Sequence, residues 1–252
     1  MKRQIYLTAL STVTVLVILF SILGQNDILP GMFGRSAGGK EADTLYFDAF
    51  SSIDIDASVA EFNLEYTDDN TYGIRYEVSS QKLIPSAELK DGTLFVRQTK
   101  TKTNNTRKYN SSLTLLIPSG TTLDNLALDM GVGDIELADL TANKMDLHVG
   151  VGDIEMNDST VATVVLEAGV GDIKMSDCSV TSLDISAGVG DVDLSVADSL
   201  DNYDMDITVG MGELTVNGVK KNGFGKEYTQ TGNGEHKYNI SAGTGDVKIA
   251  GE

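Results

Sequence analysis

The chain has 252 residues, and its 37 Asp and Glu outnumber 19 Lys and Arg to give a net charge of −18. Nucleic acid is excluded as a partner, because binding it requires Lys and Arg to neutralise phosphates, and a chain with no Trp and 6% aromatic residues offers few bases a surface to stack on. One cysteine and two histidines rule out an intramolecular disulfide, a four-ligand cysteine zinc site and a His-rich metal site.

The chain opens with Lys2 and Arg3, followed by 23 residues without a charge. Their apolar part, Ile5–Gly24, would rise about 30 Å as a helix, the thickness of a bilayer's hydrocarbon core. A signal-peptide apolar region is shorter and ends at a small-residue cleavage site. Ser21, Gly24 and Ala37 are poor candidates for one, so the segment reads as an uncleaved transmembrane anchor. The two bases keep residues 1–4 in the cytoplasm and place the rest outside, as a single-pass cell-membrane protein. Residues 25–43, with one Pro and four Gly and no sustained period, read as a flexible linker. Residues 44–252 then form the extracytoplasmic domain.

Period-2 segments begin at Ile53-x-Ile55 and Phe62-x-Leu64, and further strands are expected at Gly73–Val78, Thr93–Gln98 and Leu113–Ile117. Asp91-Gly92 and Ser119-Gly120 mark turns. Between them Arg97–Lys108 holds five bases and no acid. It is a solvated strand and loop on the plain reading. On the functional reading it contacts an anionic surface, whether lipid heads, wall polymers or acidic coils of another copy.

From residue 131 a repeat takes over. GVGD starts at Gly131, Gly150, Gly169 and Gly188, each step 19 residues; GMGE follows at Gly210 after 22, and GTGD at Gly243 after 33. Three residues before the first Gly stand Leu128, Leu147, Leu166, Ile185, Ile207 and Ile240. Four after it stand Ile135, Ile154, Ile173, Val192, Leu214 and Val247. Each copy is therefore two short strands around a glycine corner, where Gly takes positive φ without a Cβ clash. Such a unit buries its apolar face only by stacking on its neighbours. A fixed register implies parallel stacking with one coil per copy. A β-propeller needs about 40–50 residues per blade and too few blades would form. The segment Ile53…Val59…Phe62 overlays Leu126…Val132…Ile135, with Ala60 at the second Gly, and reads as a worn first coil. The longest step carries an inserted turn or hairpin around Lys220–Gly234. The fold expected is all-β, a right-handed parallel β-helix (β-solenoid) with coils of about 19 residues behind one N-terminal transmembrane helix.

The residue after the second Gly recurs as Asp134, Asp153, Asp172, Asp191, Glu213 and Asp246. Stacked carboxylates repel, by roughly 0.8 kcal/mol per pair in water at about 5 Å. A cation would relieve this; the simpler expectation is that each Asp accepts backbone N–H bonds in its own turn. GVGDIE lacks the third Gly and the following helix of a dinucleotide site. His148 and His236 fall in strand or surface positions far apart, and Cys178 aligns with Leu140 and Ser159 as a small, partly buried core residue. Residues 109–219 hold 20 acids and two bases, Lys144 and Lys174, so the whole negative excess belongs to the regular coils.

An anchor, a worn coil, the strand LLIPSGTTL and then iterated G-x-G-D-I units together resemble a bacterial putative-adhesin family of unknown function that includes the LiaG-like proteins. The resemblance covers residues 44–252. It implies the β-helix, an envelope location and association with cell-envelope stress systems, and it brings no catalytic residues. The expectation is a non-enzymatic interaction or sensory module in cell-envelope homeostasis or stress response. No catalytic, cofactor-binding or metal residue is assigned, and no cofactor. The partners expected are the membrane, through the N-terminal helix, and a protein or anionic envelope polymer. The alternative is a self-assembling surface scaffold, because Asp246–Ala250 ends the chain without an evident cap. Behind it stands a polysaccharide-active β-helix enzyme, which would use clustered carboxylates and bases in a long groove.

Overall fold

Apolar residues at every second position, repeated each 19 residues, force strands whose inner faces meet only when the repeats stack. The computed structural model describes residues 41–99, 110–196, 198–221 and 224–251. The expected anchor over 5–24 and most of the basic run 97–108 lie outside them. Among the described residues no helix is long and apolar enough to cross a membrane.

The N-terminal part contains β1 (Glu41–Phe47), β2 (Ser52–Val59), β3 (Glu61–Thr67), β4 (Tyr72–Val78), β5 (Ser86–Lys90), β6 (Thr93–Arg97) and β7 (Ser111–Pro118). Each repeat then supplies a long and a short strand. The first four copies give β8 (Thr122–Val132) and β9 (Ile135–Ala138), β10 (Thr141–Val151) and β11 (Ile154–Asn157), β12 (Thr160–Val170) and β13 (Ile173–Ser176), β14 (Ser179–Val189) and β15 (Val192–Ser195). The fifth gives β16 (Tyr203–Met211) and β17 (Leu214–Val216). The insertion forms β18 (Val219–Lys221) and β19 (Lys226–Gln230), and the sixth copy gives β20 (His236–Thr244) and β21 (Val247–Ala250).

These strands form two sheets, one carrying the long strands of the repeats and the other the short ones, with the core between them. The register is the one the repeat dictates. Leu147 lies beside Leu128 and Leu166, and Ile154 beside Ile135 and Ile173, all parallel. The worn coil falls where its pattern predicts: Ile53 pairs with Leu126, Val59 with Val132, and Phe62 with Ile135. The strands expected at Gly73–Val78, Thr93–Gln98 and Leu113–Ile117 are present as β4, β6 and β7.

The glycines divide their work. Only the second Gly of each copy has positive φ, from 139° at Gly133 to 147° at Gly152. The first Gly is extended and is needed for close approach, since a Cβ on Gly150 would stand 2.5 Å from the Gly131 carbonyl oxygen. The worn coil carries Ser58 and Ala60 at these two positions because no repeat coil precedes it. Its backbone is instead what the next coil's glycines press against.

The stacking order departs from chain order. β14 pairs not with β16 but with β20, and β16 lies on the far side of β20. The short strands do the same, in the order β15, β21, β17. The sixth copy is thus inserted between the fourth and the fifth. This corrects the expectation of an uncapped C-terminal strand: β21 is an interior strand, and the fifth copy ends the stack. Beyond it β18 and β19 pair antiparallel with β17 and β16, covering both open edges. At the opposite end, antiparallel β4 and β5 follow β7 and β6, and β1 lies outermost beside β4.

Candidate interaction surface

Each G-x-G-D corner presents four features in a row along the stack. Outward residues Asp129, His148, Glu167, Ser186 and Ser241 line one wall of an open groove floored by Gly131, Gly150, Gly169, Gly188 and Gly243. Next comes the residue between the glycines. In stacking order these are Val132, Val151, Val170, Val189, Thr244 and Met211. Val151, Val170, Val189 and Met211 are 49%, 49%, 51% and 51% exposed, an apolar ridge in an otherwise acidic surface. The row of six, at about 4.8 Å per strand, is about 24 Å long, with Thr244 as a polar break between Val189 and Met211. β-Branched Val suits the extended corner, and each Val is the register partner of the Val in the adjoining coil.

The carboxylate row follows. Asp134 Oδ1 accepts the backbone N–H of Asp153 at 2.9 Å; Asp153 does the same for Asp172 and Asp172 for Asp191, each at 2.7 Å. Asp191 then accepts from Asp246, and Asp246 from Glu213, both at 2.7 Å. Each Asp thus binds the next coil, not its own turn as expected from the sequence, and the row ties coil to coil in stacking order. The N–H donors offset the mutual repulsion of the carboxylates. Among the described residues no cluster of His, Cys, Asp and Glu has a metal-holding arrangement.

Asp153→Asn should therefore change stability by no more than about 0.5 kcal/mol, since Asn Oδ1 still accepts and one like charge is gone. Melting in calcium and in sodium of matched ionic strength should coincide for the wild type. A calcium-specific rise of several degrees that vanishes in Asp153→Asn, Asp172→Asn would make the row a cation site.

The end coils replace the missing neighbour with side chains. At the N-terminal end Gln98 is buried, and its Oε1 accepts the N–H groups of Ser58 and Val59 at 3.2 and 3.1 Å. Its Nε2 donates to the Leu83 carbonyl and to Ser111, each at 3.0 Å. At the other end Lys226 donates to the Gly212 carbonyl, which on inner coils lies against the next coil's second glycine. Glu213, which has no further coil to bind, accepts from Lys220 at 2.7 Å, and this bond holds its carboxyl below the usual range. The single Glu among the Asp residues marks the end of the stack. Gln98, Lys220 and Lys226 were not singled out from the sequence, although the fifth copy's Glu and Met were visible departures.

A second corner was also missed. Asp139, Asp158 and Asp177 hold left-handed backbone at φ 57°, 50° and 53°, which short polar Asp tolerates. They recur eight residues after the first Gly, a spacing readable in the sequence.

His148 sits on β10 with Nε2 2.8 Å from Asp146 and Nδ1 3.2 Å from Glu167. His236 opens β20, stacked on the Tyr203 ring at 4.4 Å between centroids and bonded through Nδ1 to the Val180 carbonyl at 2.8 Å. The two histidines serve different faces. Cys178 is buried, its thiol donating to the carbonyls of Met156 and Ser176, and burial raises its pKa, so it is no activated nucleophile. Arg97 pairs with Asp54 at 3.0 Å.

A family model described as Toastrack DUF4097 matches residues 50–223 and 119–250. Among solved structures, a putative cell adhesion protein from Clostridium sporogenes is similar over 84% of this chain and 100% of its own, with a TM-score of 0.55 at 16% identity. A putative adhesin from Bacteroides fragilis aligns over 84% of this chain and 99% of its own, with a TM-score of 0.49 at 17% identity. The search of curated proteins gives no match. At 16% identity the Clostridium structure shows a shared fold.

Proposed function

The chain belongs to the Toastrack DUF4097 family, and from that premise we propose that it is a non-enzymatic interaction or sensory module of the bacterial cell envelope. In this reading residues 5–24 anchor it in the cell membrane with the N-terminus in the cytoplasm. Residues 25–40 tether, on the outer side, a right-handed solenoid whose first strand is β1, Glu41–Phe47.

The apolar ridge supports this reading most directly. Val151, Val170, Val189 and Met211 stand half-exposed in one row, and the 19-residue spacing of the coils that carry the three valines leaves no long loops there to wall a catalytic cleft. Contiguous exposed apolar surface marks binding sites. The nearest carboxylates each commit an oxygen to the neighbouring coil's backbone, an architectural role rather than an acid–base one. This disfavours the polysaccharide-active enzyme.

Two measurements test the proposal. Protease added to intact protoplasts should degrade residues 44–252, and protection of that segment would reject the outward topology. A photocrosslinking group at Val170 should capture a defined partner on intact cells, and the same group at Glu88, on the N-terminal cap strand β5, should not. Equal capture at both positions would remove the ridge from the argument.

A further inference from the structure

The edge of the fourth copy is paired with the sixth, although the fifth would fit it. In the folded chain Leu183 pairs with Tyr238, Ile185 with Ile240 and Ala187 with Ala242. If the sixth copy were withdrawn and the stack closed, the repeat register would put Met205 beside Leu183, Ile207 beside Ile185 and Val209 beside Ala187. All these inward positions stay apolar, and Asp191 would accept the N–H of Glu213, which already donates to the carboxylate of Asp246. The slot between the fourth and fifth copies is thus filled by a segment that its neighbours do not strictly require.

The slot is also selective. A Cβ at Gly243 would stand 2.6 Å from the Gly188 carbonyl oxygen, and one at Gly245 would stand 1.9 Å from that of Gly190. An entering strand therefore needs Gly-x-Gly at these positions, an N–H for Asp191 and apolar residues on alternate positions either side. The repeat of this chain has that pattern. Thr231–Glu235, which joins β19 to β20, is short, lies at the surface and contains Gly232 and Gly234, the latter at φ 82°. Apart from this hinge, every contact of β20 and β21 within one chain is available in the same form from another.

We propose that β20 and β21 are an exchangeable strand pair, and that the slot between the fourth and fifth copies accepts them from a second copy of this chain. Exchange of identical elements costs little beyond hinge rearrangement, because the native contacts are remade in trans. Two chains then trade their C-terminal repeats in a closed dimer, or pass them on in a row. This inference does not depend on membrane anchoring or on the ridge.

Three variants test it, each adding one cysteine at an exposed outward position to a chain whose own Cys178 is buried. Ser186 on β14 and Ser241 on β20 are register partners, whereas Glu167 lies one strand further, on β12. Ser186→Cys and Ser241→Cys chains are mixed, incubated as folded protein and mildly oxidised. Exchange brings the two thiols together at an effective concentration on the order of mM, so this pair should give about tenfold more disulfide-linked heterodimer than Glu167→Cys with Ser241→Cys. After reduction the heterodimer should remain a dimer by gel filtration. Equal yields from the two pairs would overturn the proposal, and so would a dimer that falls to monomers on reduction, since that is a surface collision trapped by oxidation.

Discussion

Ile154→Asp should abolish cooperative unfolding or leave the protein insoluble. Ile154 is 1% exposed and lies between Ile135 and Ile173 in the stacked interior. A carboxylate there meets hydrocarbon on both sides. An unpaired buried charge costs about 3–5 kcal/mol, and lost packing adds to it, against a total stability of about 5–15 kcal/mol for a domain. The neighbouring outward position gives the contrast. Glu155 donates nothing to the core and pairs with Lys174 at 2.9 Å, a bond that lowers its carboxyl pKa. Sequence reasoning alone expects Glu155→Lys to be neutral or mildly stabilising, because it removes negative charge. The structure alters that: the substitution replaces the Lys174 pair with a like-charge contact and turns the existing like-charge contact with Glu136 into an opposite-charge one, so the two changes nearly cancel. Urea unfolding followed by circular dichroism should separate the two variants clearly, and equal damage would contradict the register.

Gly152→Ala should be nearly as harmful, for a different reason. The residue has φ 147°, and its new Cβ would lie 2.0 Å from the Gly133 carbonyl oxygen and 2.6 Å from its carbon. Both atoms are backbone in the preceding coil, so relief requires opening the ladder. Backbone strain of this kind costs about 1–3 kcal/mol before the clash is counted, and we expect a loss of about 3 kcal/mol or more. Gly120→Ala is the control. That position also has positive φ, at 78°, but nothing lies within 4 Å of the added Cβ, so about 1 kcal/mol is expected from conformation alone. Thermal melts that rank Gly120→Ala as the worse variant would refute the close-approach argument.

The repeat made most of this architecture legible in the sequence. Period-2 apolar residues at fixed offsets from each glycine pair name the strands, their inward faces and their register, because one register alone stacks every apolar position. Even the worn coil could be aligned, through Ile53, Val59 and Phe62. The order of the last two copies could not be read, for the same physical reason. Units that are alike present alike edges, so the pattern of Leu183, Ile185 and Ala187 does not say whether Met205 or Tyr238 lies beside it. Glu213 in place of Asp was the local sign, but its meaning depends on Lys220, which belongs to an insertion outside the repeat. β5 gave little warning, since Ser-Ala-Glu-Leu-Lys has few β-formers and is held by pairing with β6. The candidate surface was half legible. The glycines and carboxylates were visible as a pattern, whereas the exposure of the valines between them depends on which way the corner turns.

The interior position of β20 and β21 also sets an order in time. A chain made from its N-terminus completes Val216 34 residues before Ala250, an interval of about 2–7 s at about 5–20 residues per second. Strand pairing takes microseconds, so a fifth copy free to fold within that interval would settle on the fourth before the sixth is made. A fifth copy that had settled on the fourth in that interval would have to be displaced for β20 and β21 to take the place between them. A stack closed without β20 and β21 would keep every apolar position in register, so the order of the last two copies is decided only when His236–Ala250 pairs.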